Sequence, residues 1–167
     1  MTTSETALII FIALATLCAC ITFMQKRREY HTQRDRLQLA ELRGLTPEAF
    51  EAYVARLFKR MGYWVIDTPN TKDHGVDVVA LKEGRKVVIQ CKRYGEGRVV
   101  GEPVVRDMLG IMQHERAAVG VIVTTGQFSG KAREWAAKHG DIVLLDGEEL
   151  TKLDVRGFPN RKLDRRG

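Results

Sequence analysis

Four side chains in this sequence could carry chemistry together. Asp77 interrupts a valine-rich run in "GVDVVALKEGRKVVIQCKRY" (Gly75–Tyr94), and Gln90 and Lys92 interrupt the apolar run that follows it. Glu51 lies one residue past Phe50, at the edge of an apolar helical stripe. Hard divalent cations such as Mg²⁺ take carboxylate and amide oxygens and keep several waters. A lysine beside such an ion can orient a water or offset charge in a phosphoryl transition state. A carboxylate, an amide oxygen and an ammonium held close together therefore equip a protein for metal-assisted phosphodiester hydrolysis. Taken singly, each residue has an ordinary explanation: a turn cap, a solvated edge charge, a surface glutamate.

A hairpin must bring them together. If Glu83-Gly84 is a two-residue loop, Lys82 pairs with Arg85, and counting back places Asp77 opposite Gln90. Lys92 shares the face of Gln90, because side chains alternate along a strand. The other face would then carry Val76, Val78, Ala80, Val87, Ile89 and Cys91 as core. A three-residue loop would separate Asp77 from Gln90.

The surrounding elements follow from periodicity and caps. In "LTPEAFEAYVARLFKRMGY", Thr46 is an N-cap, Pro47 fits the first helical position, and Phe50, Val54, Leu57, Phe58 and Met61 recur at helical spacing. Gly62 ends that helix. A short strand over Tyr63–Asp67, the loop "TPNTKDHG" and the hairpin come next. A helix over Glu102–Arg116, a buried strand over Val119–Thr124, a helix capped by Ser129 and a strand over Ile142–Leu145 complete the order αβββαβαβ. That order predicts an α/β fold, a mixed sheet flanked by helices. Trp64 and Trp135 read as packing residues.

Composition frames the partners. The 167 residues carry a formal net charge of +6, which favours an anionic partner, nucleic acid or lipid. Three scattered cysteines, Cys18, Cys20 and Cys91, suggest neither a zinc site nor a disulfide framework. Residues 7–24, "ALIIFIALATLCACITFM", bear no charge and would span roughly 27 Å as a helix, close to a bilayer core. "QKRR" follows and no Lys or Arg precedes, so the positive-inside bias puts the C-terminal side in the cytoplasm. The expected organisation is a single-pass cell-membrane anchor (residues 1–28), a charged helical linker (29–44), a globular domain (45–150) and a basic tail (151–167).

The segments "FEAYVARLFKRMGY", "DHGVDVVA", "VVIQCKRYG", "GVIVTTGQFSGKAREWA" and "IVLLDGEEL" resemble the Mrr-like restriction endonucleases, a branch of the PD-(D/E)xK nuclease superfamily in which Gln commonly replaces an acidic residue. The resemblance covers about Leu45 to Leu150. It implies a restriction-endonuclease-like fold and Mg²⁺-dependent DNA cleavage, with Mn²⁺ as a substitute ion and no small-molecule cofactor. By position, Asp77 is the central metal ligand, Gln90 fills the second ligand site through its side-chain oxygen, Lys92 is the catalytic lysine, and Glu51 completes the site. Asp73 matches a frequently acidic loop position. Arg93, Lys72 and Arg98 are candidates to meet DNA phosphates. Thr124 and Thr125 approach substrate or bond within the following turn. His74 is a weak proton-transfer candidate. Many relatives work as homodimers. The neutral Gln90 removes a charge that most of the superfamily has, and a membrane segment stands where such enzymes often carry a DNA-recognition domain. A non-catalytic DNA-binding module of the same fold, and a nuclease acting on branched DNA or RNA, are the alternatives.

Overall fold

The computed structural model describes residues 3–66 and 75–156. Lys72, Asp73 and His74 lie outside the described residues. The first helix, α1 (Thr3–Gly44), runs through the boundary between two units, one ending at Leu37 and the other beginning at Gln38.

In the first unit, Leu14, Leu17, Ile21, Phe23 and Met24 are exposed on α1. The hydroxyls of Thr16 and Thr22 donate back to carbonyls one turn earlier, at Ala13, Cys18 and Ala19. Among the described residues no helix is long and apolar enough to cross a membrane. The side chains of residues 7–12, the first third of the expected anchor, lie outside the described residues.

The second unit opens on the end of α1, where the sequence led us to expect a charged linker. Leu42 is buried in the core there, and Leu39 lies against Gly147. Next comes α2 (Pro47–Arg60), with Thr46 Oγ1 accepting from Ala49 N as its cap and Phe50, Val54, Leu57 and Phe58 buried. Burying each of these side chains favours folding by about 1.5–3 kcal/mol. The strands β1 (Trp64–Ile66), β2 (Val78–Lys82) and β3 (Arg85–Lys92) form an antiparallel meander. The pieces β4 (Val99–Val100), α3 (Glu102–His114), β5 (Val119–Thr124), β6 (Gln127–Phe128), α4 (Gly130–Lys138), β7 (Ile142–Leu145) and α5 (Gly147–Arg156) follow.

The main sheet has the order β1-β2-β3-β5-β7, with β5 and β7 parallel to β3. One face packs against α2 and α5 through Val78, Ala80, Val87, Ile89, Val121, Val123 and Leu145. The opposite face, through Val79, Val88 and Ile122, meets Val105, Met108 and Met112 of α3 and Ala132 and Ala136 of α4. The mixed sheet with helices on both faces is thus present. Two short strands that the sequence reading does not contain, β4 and β6, pair as a small parallel sheet around buried Val100 and Phe128. The chain from Thr151, expected as a loose tail, continues α5, with Leu153 buried. Asp146 and Glu149 cap that helix reciprocally. Trp64 is 75% exposed on the edge strand, so it does not pack as expected.

Candidate active site at the end of the third strand

The turn that sets the hairpin register is the two-residue one. Lys82 pairs with Arg85, and Glu83 and Gly84 have φ of 53° and 75°, as a type I′ turn requires. The register runs true to Val78↔Ile89. There it breaks. The amide of Asp77 donates to the carbonyl of Ile89, so Asp77 and Val78 both oppose Ile89, the pattern of a β-bulge. Two consequences correct the sequence expectation. Val76 moves to the α3/α4 layer, joining Val79 rather than Val78. Asp77 is no longer directly across from Gln90; its carboxylate instead accepts from the amide of Cys91 at 2.6 Å.

Gln90 and Lys92 share the strand face of Val88, which is the α3/α4 side. Gln90 is only 7% exposed. Its Nε2 donates to the Gly75 carbonyl at 3.0 Å, which turns Oε1 away from Gly75. That Oε1 is buried and has no hydrogen-bond partner among the described residues. An orphaned buried amide oxygen carries a desolvation cost, so a site that supplies it with a cation satisfies it. Glu51 is half-buried and comes from α2, on the other face of the sheet. The candidate groups are thus distributed over both faces of the sheet near the end of β3 rather than on one face.

Cys91 reports on these groups. Its thiol is pushed well above its ordinary value, first by burial, then by the charges of Asp77 and Glu51, while Lys92 acts in the opposite direction. Both carboxylates and the ammonium thus lie close enough to act on one sulfur. Among the described residues no group of three or more His, Cys, Asp or Glu side chains could hold a metal ion. The donors that fit a hard cation here are two carboxylates and one amide oxygen.

The end of β3 is held by a threonine pair. Thr124 Oγ1 donates to the Lys92 carbonyl at 2.7 Å, and Thr125 Oγ1 both accepts from Tyr94 N and donates to Tyr94 O, each at 2.8 Å. Thr125 is 0% exposed. Its hydroxyl therefore holds the chain that follows Lys92. Arg93 is exposed and donates from Nη1 to the Arg43 carbonyl at 2.8 Å. Arg98 is also exposed. Sequence reasoning missed Arg43, whose Nε donates to the Thr125 carbonyl at 3.2 Å and whose Nη1 lies 4.0 Å from Glu96. Leu39 and Leu42, three residues apart among charged neighbours, are the sequence hint that this end of the helix packs, and Arg43 follows them directly.

Known proteins resemble this chain in sequence and in fold. Residues 42–153 match the family model described as "Restriction endonuclease" (Mrr_cat). The chain is 34% identical over 125 residues to the type IV methyl-directed restriction enzyme EcoKMrr of Escherichia coli strain K12, covering 70% of this chain and 40% of that protein. Among solved structures, the DNA modification-dependent restriction endonuclease AspBHI superposes with a TM-score of 0.60 at 20% identity, over 72% of this chain and 35% of that one. The MspJI restriction endonuclease, solved with a 27-mer oligonucleotide, superposes with a TM-score of 0.57 at 23% identity, over 70% and 30%. The chain thus spans less than half the length of each of these relatives.

Proposed function

This chain belongs to the restriction endonuclease family, whose members are DNA endonucleases, hydrolases of phosphodiester bonds, and from that premise we propose that it cuts DNA with Mg²⁺ at the end of β3. The observation that carries the proposal is the buried Oε1 of Gln90, unpartnered among the described residues, on the strand that also carries Lys92 and whose Cys91 feels the charges of Asp77 and Glu51. Asp77, Gln90 and Glu51 would hold the ion, with Mn²⁺ able to replace it. When bound, such an ion polarises the phosphate and lowers the pKa of water.

The chain's own residues divide the remaining work. Lys92 would set its ammonium against a phosphate whose charge rises in the transition state. Asp77 is oriented by the Cys91 amide, so its second carboxylate oxygen is presented in one direction. The Thr124 and Thr125 bonds fix the main chain on either side of Arg93, which sets where Lys92 ends. Arg93 and Arg98 would meet phosphates and fix the register of the duplex, a role their exposure beyond Lys92 supports. DNA as substrate is supported by the oligonucleotide bound to MspJI. Cutting both strands needs two such sites, so we propose a homodimer as the working form.

We further propose attachment to the cell membrane through residues 7–24, with the nuclease unit in the cytoplasm. The exposed Leu14, Leu17, Ile21, Phe23 and Met24, the intrahelical bonds of Thr16 and Thr22, and the following Lys26, Arg27 and Arg28 support this.

The experiment is cleavage of supercoiled plasmid by the full-length protein with Mg²⁺ or EDTA. DNA binding without metal-dependent cleavage, on unmodified and methylated DNA alike, would instead support a non-catalytic binding module. Branched and RNA substrates separate the remaining alternative.

A further inference from the structure

We propose that the main-chain carbonyl of Gly75 selects an amide over a carboxylate at position 90, and so makes this a site built around a neutral oxygen donor. The inference rests on the metal-dependent reading above for its purpose, though not for its geometry. A backbone carbonyl only accepts, so whatever faces Gly75 O must carry a hydrogen. Gln90 meets that demand with Nε2 at 3.0 Å, and Oε1 is thereby aimed the other way. The carbonyl is presented by a backbone that favours glycine: Gly75 has φ of +74°, and a Cβ there would lie 3.2 Å from Gln90 Nε2 and 3.4 Å from Ile111 Cδ1. Gly75 is in this sense a positioning residue for Gln90.

A glutamate at position 90 would have the same length and shape. Yet both oxygens of an ionised carboxylate are acceptors, so in that state no rotamer offers Gly75 a hydrogen. One oxygen must face the carbonyl within a nearly buried environment, where an unfavourable polar contact is costly. Simple charge counting predicts the opposite, since an added negative charge should strengthen a divalent-cation site. The sign of the effect decides between the two.

The test uses the full-length protein without DNA and without metal. Thermal unfolding is compared for wild type, Gln90→Met, which loses the donor but adds no acceptor, and Gln90→Glu. The expected order of melting temperature is wild type, then Gln90→Met, then Gln90→Glu, with the last about 5 °C below wild type. Gln90→Glu melting level with or above Gln90→Met overturns the inference. Should Gln90→Glu fail to fold while Gln90→Met folds, the order holds in its extreme form; if neither folds, amide selection is overturned. Mn²⁺ binding then tests Gly75 directly. A folded Gly75→Ala protein should bind Mn²⁺ about tenfold more weakly, although residue 75 contributes no side-chain ligand. Binding at the wild-type level would contradict the positioning role. Wild type that binds no Mn²⁺ would defeat the metal reading, while the melting order, measured without metal, would still decide the selection of the amide.

Discussion

The amide of Cys91 donates to the carboxylate of Asp77 at 2.6 Å, where a continued hairpin ladder would have offered a backbone carbonyl. One side chain thus closes the edge left by the bulge and remains the acid on which metal chemistry would depend. The two jobs separate by substitution. Asp77→Asn keeps an acceptor for Cys91 and loses the charge, so its melting temperature should stay close to wild type. Asp77→Ala leaves the Cys91 amide without its partner and should cost about 1–3 kcal/mol in denaturant unfolding. Equal stability of the two variants would show that the bond is not structural.

Lys92 is predicted to act on the transition state rather than on folding or binding. Lys92→Ala should lower the cleavage rate by about 10²–10³-fold while DNA affinity at fixed salt and thermal stability change little. A variant that loses affinity in proportion to rate would make Lys92 a phosphate contact instead.

Thr125 is predicted to position the chain beyond Lys92. Thr125→Val keeps the shape of the side chain but removes both bonds to Tyr94, and should lower stability by about 1–3 kcal/mol together with the cleavage rate. Thr125→Ser should recover most of both. If serine and valine behave alike, the hydroxyl is not what matters.

How much of this was visible before the structure varies by residue, for physical reasons. Glu83-Gly84 between two apolar runs marks a tight turn, and of the two lengths it allowed the structure has the two-residue one, because Glu83 and Gly84 both take positive φ. The bulge at Asp77 could not be read, because the Asp77 amide turns toward the Ile89 carbonyl through the path of the main chain, which no residue type in the run announces. Its cost was a wrong face for Val76 and a wrong partner for Asp77. Leu42 was hidden by its charged surroundings: two apolar residues among arginines and glutamates look like a solvated helix until a sheet is present to receive them. Trp64 was misjudged because residue size predicts burial only on average, and an edge strand leaves one side open. Lys72, Asp73 and His74 lie outside the described residues and keep the status of expectations.

The Cys91 thiol gives a pH prediction. Its raised value means that the folded protein holds the proton more tightly than the unfolded chain. The stabilisation is fully present below the unfolded thiol's value of about 8.5 and is lost as pH climbs above it. With Cys18 and Cys20 replaced by Ser, alkylation of Cys91 by iodoacetamide should therefore be slow at pH 8.5 in the native protein. Asp77→Asn, which removes a charge that raises the thiol, should speed it; Lys92→Ala, which removes the one that lowers it, should slow it further. The opposite order would mean that these charges do not converge on Cys91.

Membrane attachment is checked by fractionation. The full-length protein should pellet with membranes on ultracentrifugation and resist extraction by high salt, and deletion of residues 1–24 should release it. Full-length protein that stays in the supernatant would contradict the anchor.

The central claim is that an acid at the end of β3 makes this chain a metal-dependent DNA endonuclease. The most direct measurement is single-turnover cleavage of supercoiled plasmid by full-length wild type and Asp77→Asn, matched for folding by their melting curves, each with Mg²⁺ and with EDTA. The account predicts nicked and linear products only for wild type with Mg²⁺, and at least a hundredfold slower cleavage by Asp77→Asn. Equal cleavage by the two proteins, or cleavage that persists in EDTA, would contradict it.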